Sequence, residues 1–305
     1  MRVFVTGASG HIGSAVLPEL LSAGHQVVGL ARSQKSADTL IAAGAAVHRG
    51  SLDDLDALAE AAKDSDGVIH LAFKHEAMRT GDFASAIEAD RRAIEAISNA
   101  LAGTGKPFVS TSGTLMLALG GLRRLGTEAD ALATGPRVDA ENTMVALAER
   151  VVRSSVIRLP PSVHSSLDHH GYVPILIAIA RDKGAAGYFG DGSNRWPAVH
   201  TLDAAHLYRL ALEGAPAGSR LHAVGDEGVP FRQIAEAIGR HLDVPAISIP
   251  PEEAADYFGF LANFVGLDNP TSSAHTQTLM DWHPTHPGLI DDIDEGHYFA
   301  APPGT

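Results

Sequence analysis

The stretch Thr6-Gly7-Ala8-Ser9-Gly10-His11-Ile12-Gly13 decides how the fold of this chain is expected to begin. It follows an apolar run from Arg2 to Val5, which predicts a buried strand, and it opens a segment with helical spacing that continues to Ala23. Between a strand and a helix, glycines at this spacing permit a tight turn, a close approach of the backbone to a ligand, and close helix–sheet packing. Because N–H groups at a helix start attract anions, we expect this turn to hold a pyrophosphate.

Strand and helix patterns alternate along the first half of the chain. Apolar strand segments are predicted at residues 2–5, 26–31, 46–48, 67–72, 107–111 and 155–159. Such alternation predicts a mostly parallel sheet covered by helices on both faces. We therefore expect a Rossmann-type, doubly wound α/β fold with a smaller C-terminal α/β lobe that binds substrate. The expected domains are residues 1–160 with 198–224 for the nucleotide, and residues 161–197 with 225–305 for the substrate.

The end of the second predicted strand distinguishes NADP(H) from NAD(H). An NAD site usually has a carboxylate about 20 residues after the glycines, where it binds the ribose 2′-hydroxyl. Here the strand ends Ala31-Arg32-Ser33, so Ala31 removes the negative charge and Arg32 can bind a 2′-phosphate bidentately. The sequence therefore predicts NADP(H), with Ser33 assisting; a solvated arginine without a ligand is the alternative. On the glycine-rich turn, the residues assigned to the cofactor are Gly7, Ser9, Gly10, His11, Ile12 and Gly13.

Composition narrows the possible partners and locations of the protein. The chain has 305 residues, a net charge of −13 and no cysteine. The acidic balance argues against nucleic-acid binding, and no apolar run reaches the ~18 residues of a membrane helix. The missing cysteines fit a reducing cytoplasm. We expect a cytoplasmic protein that acts on a small molecule, with neither nucleic acid nor membrane as a partner. The 16 histidines lack the helical spacing of zinc enzymes, so no metal is expected.

Several short motifs occur in the order and spacing of one enzyme superfamily. Besides the glycine-rich turn, they are Gly50-Ser51-Leu52, Asp66 to Ala72, Arg158-Leu159-Pro160, and Leu279 to Thr285. Through them nearly the whole chain resembles an extended short-chain dehydrogenase/reductase, the superfamily of sugar epimerases, dehydratases and related reductases. Ser51 departs from the pattern, which has Asp there. The resemblance implies further cofactor contacts from Ser51, Leu52, Leu71, Ala72, Phe73, Thr111, Arg137 and Pro160, and a homodimer through helices 83–102 and 137–153.

The superfamily's catalytic residues are a serine and a Tyr-x-x-x-Lys pair, and here the pair is missing. Ser112, at the end of the fifth strand, fits the serine. Aligned on Glu141, Arg137 takes the lysine position and Ala133 the tyrosine position. The chain thus resembles an atypical, Tyr-less subgroup. A positioned proton donor is worth roughly 10²–10⁴ in rate, so its replacement is the central question for function.

Three hypotheses address the missing tyrosine. In the first, Lys74, His75, His164 or Tyr172 donates the proton, and a histidine suits that task near neutral pH. In the second, the substrate is an iminium ion or a conjugated alkene, which does not need this donor. In the third, the protein binds the cofactor without catalysis.

We expect an NADPH-dependent oxidoreductase that reduces a small, apolar carbonyl or imine. Ser112, Arg137, His75 and Lys74 are its expected catalytic residues. Arg137 is too basic to serve as a tunable acid, but it can bind the nicotinamide ribose or a substrate carboxylate. Apolar residues such as Trp196 and Phe260 suggest an apolar pocket, or else the core of the lobe. The alternative function is a catalytically silent NADP(H)-binding sensor or scaffold protein.

Overall fold

A computed structural model describes residues 1–75 and 82–300 of the chain. Its largest sheet has seven parallel strands in the order β3-β2-β1-β4-β5-β6-β10. The strands are β1 (Arg2–Thr6), β2 (Gln26–Ala31), β3 (Ala46–Arg49), β4 (Gly67–His70), β5 (Pro107–Gly113), β6 (Arg153–Leu159) and β10 (Ser219–His222). The strand order reverses between β1 and β4, so the predicted Rossmann-type, doubly wound α/β fold is confirmed.

Helices cover both faces of this sheet. They are α1 (His11–Ser22), α2 (Gln34–Ala42), α3 (Leu55–Lys63), α4 (Phe83–Leu101), α5 (Leu115–Leu119), α6 (Val138–Ala146) and α8 (Thr201–Gly214). On one face α1 packs on α8, and on the other α4 packs on α3 and α6. Alternate residues of β1 serve the two cores: Val3 and Val5 are buried on the α1 side and Phe4 on the α4 side. Burial of each such side chain contributes about 1.5–3 kcal/mol.

The remaining elements form a lobe beside the carboxyl ends of the strands. It contains a three-stranded sheet in the order β11-β9-β7 and a parallel pair of β12 with β8. Its strands are β7 (Ser162–His164), β8 (Ala186–Phe189), β9 (Arg195–His200), β11 (Asp226–Pro230) and β12 (Ala246–Ile249). Its helices are α7 (Tyr172–Lys183), α9 (Phe231–Leu242), α10 (Ala254–Phe258), α11 (Ala262–Val265) and α13 (Leu289–Asp294), whereas α12 (Ala274–Met280) packs on α8 and β10 of the larger domain.

The apolar residues of the lobe mostly form its core rather than a pocket. Trp196 is fully buried and packs against Tyr172 and Phe231, with ring centroids 5.3 and 4.9 Å away. Phe260 is 36% exposed and lies at the surface. Of the helices within the described ranges, none combines the length and the apolar character needed to span a membrane.

The predicted helix over residues 137–153 is wrong in its extent. The α-helix α6 ends at Ala146, a 3₁₀ turn covers Leu147–Arg150, and Val151 is left-handed with φ 57°. The chain leaves the helix early because β6 already pairs with β5 at Arg153. The homodimer contact expected through this helix and α4 would therefore use a shorter second helix, and it stays a prediction.

Candidate active site

The turn between β1 and α1 has the shape that phosphate binding requires. Gly7 is left-handed with φ +70°, and a Cβ on it would lie 2.8 Å from the Ala72 nitrogen. A Cβ on Gly13 would lie only 2.2 Å from the Gly7 carbonyl oxygen. Helix α1 begins after Gly10, which offers no side-chain cap to the first turn. The N–H groups of that turn are therefore available to an anionic ligand.

The end of β2 carries the exposed cationic side chain of Arg32. Arg32 is exposed and makes no hydrogen bond or ion pair within the described part of the chain. Ser33 Oγ accepts the Ser36 N–H in a capping box at the start of α2, so it is already engaged. Arg49 is a residue that sequence reasoning missed. It lies opposite Ala31 in the β2–β3 register and donates to the Ser33 carbonyl oxygen at 2.9 Å.

The loop after β3 lies near one of the expected catalytic residues. Lys74 Nζ contacts both carboxylate oxygens of Asp53, at 2.7 and 2.8 Å. Ser51 Oγ accepts the Asp53 N–H, and Leu52 between them is buried. Lys74 is therefore held toward the loop that is expected to meet the adenosine, and its catalytic role stays a prediction.

The segment after β4 runs beside the glycine-rich turn. The Leu71 N–H donates to the Thr6 carbonyl oxygen and the Ala72 N–H to Thr6 Oγ1. Farther along, the Phe73 ring meets His75 edge-on, with centroids 5.3 Å apart. His75 is exposed and ends the described range, since residues 76–81 lie outside it. The segment thus brings the predicted cofactor contacts to the turn, whereas the proton-donor role of His75 stays a prediction.

Arg137 lies with Phe73 and Asp90 at the expected catalytic end of the site, and these three residues are called the reaction end. It is left-handed with φ 61°, a conformation that costs a non-glycine residue roughly 1–2 kcal/mol. Its guanidinium lies 4.3 Å above the Phe73 ring centroid and donates to the Thr111 carbonyl oxygen at 2.8 Å. Asp90 Oδ2 lies 3.6 Å from the same terminal nitrogen, and the buried Arg137 Nε has no hydrogen-bond partner. Strain held by such contacts is typical of functional positions.

Asp90 was missed by sequence reasoning, although the sequence carries a signal for it. Its neighbours on the buried stripe of α4 include Ala86, Ala93 and Ile94. An ionised carboxylate on such a stripe requires a partner. The structure supplies two, since His70 Nε2 lies 3.1 Å from Asp90 Oδ1 on the side away from Arg137.

Ser112 lies on β5 and faces a buried ionic cluster. Burial raises the pKa of Glu141, but hydrogen bonds from Arg158, and smaller contributions from Ser112 and Arg220, outweigh it and lower the pKa. Ser112 Oγ itself is buried without a well-formed hydrogen bond. Arg158 also donates to the Asp130 carbonyl oxygen at 2.8 Å, which fixes the loop that precedes α6. The catalytic role of Ser112 stays a prediction.

The position aligned with the family tyrosine lies outside a helix. Ala133 is exposed, and α6 begins only at Val138, after Gly135, Pro136 and the left-handed Arg137. Residues four apart share one face only when both belong to the same helix. A side chain at position 133 is therefore not placed one helical turn from Arg137, as a Tyr-x-x-x-Lys pair requires.

Two further proton-donor candidates lie in the lobe. His164 is fully buried, and its Nδ1 lies 3.0 Å from Asp292 Oδ2, so that nitrogen donates to the carboxylate. Tyr172 begins α7, packs on Trp196, and has a pKa raised by burial. Full burial keeps His164 from a substrate that enters from solvent, and the raised pKa makes Tyr172 a weaker acid.

Two groups of possible metal ligands come together in the described ranges. They are His200 with Asp203 and His286, and Asp292 with Glu295 and His297. The His200 and His286 rings stack in parallel, with 7° between their planes and 4.5 Å between their centroids. Nitrogen lone pairs in parallel planes do not converge on one ion. In the second group His297 Nε2 is engaged with Asp292 at 3.1 Å. The expectation of no metal stays a prediction.

Known proteins resemble this chain in sequence. A model of the NAD dependent epimerase/dehydratase family matches residues 3–120. A Schizosaccharomyces pombe protein named uncharacterized protein C2A9.02 is 48% identical over 98% of this chain and 100% of its own length. Another relative, 2′-dehydrokanamycin reductase from Streptomyces kanamyceticus, is 28% identical over 84% of this chain and 71% of its own.

A solved structure shows the same fold. The UDP-glucuronic acid 4-epimerase of Bacillus cereus, in complex with UDP-glucuronic acid and NAD, matches with a TM-score of 0.76 at 18% identity, and the match covers 98% of both chains. The chain therefore belongs to the NAD dependent epimerase/dehydratase family, whose model it matches over residues 3–120, and it shares one fold with the solved epimerase.

Proposed function

We propose that this protein is an NADPH-dependent oxidoreductase that reduces a small, apolar carbonyl or imine. The observation that carries the cofactor choice is the end of β2, where Ala31 replaces a carboxylate and Arg32 has no partner among the residues that the structure describes. Arg49 adds a second guanidinium beside it. Positive charge without a carboxylate favours a 2′-phosphate over a 2′-hydroxyl.

The remaining residues suit a nicotinamide dinucleotide, which family members use. The uncapped first turn of α1 fits a pyrophosphate, because the glycines leave no Cβ in the way. The cofactor supplies a hydride when bound. Arg137 offers its unpartnered Nε–H as a donor to a ribose hydroxyl or a substrate carboxylate. The similarity to a reductase supports reduction as the direction of the reaction.

The substrate class follows from the missing proton donor. No tyrosine stands at position 133, and Arg137 cannot serve as an acid near neutral pH. An iminium ion arrives already protonated, so only hydride transfer is needed to reduce it. A ketone requires a donor for its oxygen, and Ser112 is the polarising residue closest to the family pattern. We therefore place imines first and ketones second.

The cofactor choice is tested by measuring dinucleotide affinity through NADPH and NADH fluorescence. We expect Arg32→Ala to raise the Kd for NADPH about 10- to 100-fold, the loss of one charged contact, and to leave the Kd for NADH nearly unchanged. Arg91→Ala, an exposed arginine on α4, is the matched control and should change neither. Equal affinity of the wild-type protein for both dinucleotides would contradict the proposal.

The reaction is tested by following NADPH consumption with ketones, imines and conjugated enones. We expect Ser112→Ala to leave imine turnover intact and to abolish ketone turnover. Absence of imine turnover in the wild-type protein would overturn the imine assignment.

Two observations favour the second candidate function, a silent NADP(H)-binding sensor or scaffold. The helix begins after the tyrosine position, and Lys74, one of the expected catalytic residues, is engaged by Asp53. Micromolar NADPH binding without turnover of any compound in the panel would favour this candidate. Failure to bind either dinucleotide would contradict both.

A further inference from the structure

A chain of polar contacts runs through the interior from the glycine-rich turn to Arg137. Thr6 Oγ1 lies 2.8 Å from His70 Nδ1, His70 Nε2 lies 3.1 Å from Asp90 Oδ1, and Asp90 Oδ2 lies 3.6 Å from the Arg137 guanidinium. Thr6, His70 and Asp90 are each at most 2% exposed. These polar contacts connect the ends of β1 and β4, the middle of α4 and the start of α6.

The direction of each hydrogen bond follows from the chemistry of the groups. A carboxylate only accepts, so His70 Nε2 carries the hydrogen that reaches Asp90. In the neutral ring, His70 Nδ1 then accepts from the Thr6 hydroxyl. Thr6 Oγ1 itself accepts the Ala72 N–H at 3.2 Å, in the segment that packs on Gly7. One side of the Asp90 carboxylate is thereby fixed to the glycine-rich turn.

The other side of the carboxylate faces a cation in a strained position. Arg137 is left-handed, and its side chain is 20% exposed beside the Phe73 ring. Asp90 and the Thr111 carbonyl oxygen hold its terminal nitrogen, while the buried Nε makes no hydrogen bond. Among the described residues, Asp90 is the carboxylate that pairs with this guanidinium.

We propose that Asp90 is a positioning residue for the dinucleotide: it holds the Arg137 guanidinium so that Nε–H stays free for the cofactor, and it links that guanidinium through His70 to the glycine-rich turn. The inference rests on the proposed function, because it assigns a task within the same cofactor site. It applies to NADPH and NADH alike, since the nicotinamide ribose that Arg137 is proposed to bind is the same in both. Asp90 acts through Arg137 and does not itself touch the ligand.

The experiment is a double-mutant cycle on NADPH affinity, measured by fluorescence titration. We expect Asp90→Asn and Arg137→Gln each to raise the Kd about tenfold. The double variant should raise it no further, because each single variant already breaks the same contact between Asp90 and Arg137. In turnover, the KM for NADPH should rise in Asp90→Asn while kcat changes less than threefold. Glu88→Gln, which removes an exposed carboxylate from the same helix, should leave the Kd unchanged.

A purely structural role for Asp90 gives a different result. Asp90→Asn would then unfold at a lower temperature and bind NADPH with wild-type affinity, or its effect would multiply with that of Arg137→Gln; either outcome overturns the inference. Should Asp90→Asn fail to fold, Asp90→Glu keeps the charge and displaces it by one methylene, and the same non-additivity is required of it. Wild-type protein that binds neither dinucleotide overturns the proposed function as well, whereas equal NADPH and NADH affinity overturns only the cofactor choice.

Discussion

The two ends of the cofactor site are built in different ways. The glycine-rich turn takes its shape mainly from eight consecutive residues, whose tightest contact joins Gly13 to Gly7, and Ala72 after β4 is the distant residue that packs on it. The reaction end is assembled from Phe73, Asp90 and Arg137, which belong to different elements of the fold. A local turn is fixed by which residues follow each other, whereas the reaction end depends on the packing of the whole domain.

The largest expected effect comes from adding one carbon to the turn. Gly13→Ala places a Cβ 2.2 Å from the Gly7 carbonyl oxygen and 2.6 Å from Ala8, where the backbone cannot move aside without losing the helix–sheet contact. We expect a loss of about 4 kcal/mol or more in unfolding free energy, above the roughly 1–3 kcal/mol usual for overpacked buried sites because backbone atoms collide here, together with loss of NADPH binding. Urea unfolding and fluorescence titration measure the two effects.

The matched control is Gly214→Ala, at the end of α8, where a Cβ would meet nothing within 4 Å. It should change the unfolding free energy by less than about 1 kcal/mol, with alanine the more stable residue in a helix. Near-wild-type stability of Gly13→Ala would contradict the conclusion that steric contacts between neighbouring residues determine the turn.

The packing that forms the reaction end is expected to lose stability when an ion pair outside that end is broken. Glu141 is buried and accepts from Arg158 at the end of β6 and from Arg220 on β10. Glu141→Gln leaves the buried Arg158 guanidinium and the partly buried Arg220 guanidinium without their counter-charge, which should lower the unfolding free energy by about 3–5 kcal/mol. Chemical denaturation measures the change. Glu149→Gln, at an exposed position, should stay within about 0.5 kcal/mol, and a similarly small effect at Glu141 would contradict the prediction.

The same contrast explains what the sequence could predict. The order of strands and helices, the glycine-rich turn and Arg32 depend on periodicity and short motifs, and the fold was confirmed. Arg49 and Asp90 depend on strand register and on the packing of α4, which no short motif carries. The helix over 137–153 was predicted too long because pairing of β6 with β5, a contact between distant segments, ends it early.

Acid pH is expected to lower the unfolding free energy of the protein. Burial is the main cause that lowers the pKa of His11, His200 and His222, each to about 4. Such histidines bind protons more readily in the unfolded chain, so stability falls as pH drops from about 6.5 toward 4. Burial raises the pKa of Asp168, which acts in the opposite direction. Near pH 5 the three histidines alone take up roughly 2–3 protons on unfolding, which is roughly 3–4 kcal/mol per pH unit, and Asp168 reduces this slope.

Thermal unfolding across this pH range measures the slope. The substitution His11→Gln, next to Gly10, should reduce the number of protons taken up on unfolding by about one. The substitution His222→Gln, which loses the contact with Arg158, should reduce it by the same amount. His283→Gln is an exposed control and should leave the slope unchanged. A stability that stays flat between pH 7 and pH 5 would show that these histidines titrate alike in the folded and unfolded chain.

The smallest effect is expected from rebuilding the family pair. Ala133→Tyr combined with Arg137→Lys restores the Tyr-x-x-x-Lys spacing in the sequence, but position 133 is exposed and precedes α6 by five residues. Because the two positions do not share a helical face, we expect ketone reduction at saturating NADPH to rise by no more than about twofold over the wild-type rate. A placed tyrosine would instead raise the rate roughly 10²–10⁴-fold. A gain of that size would mean that α6 extends by a turn when the pair is present. The structure of the reaction end would then be determined by a short motif rather than by packing between distant segments.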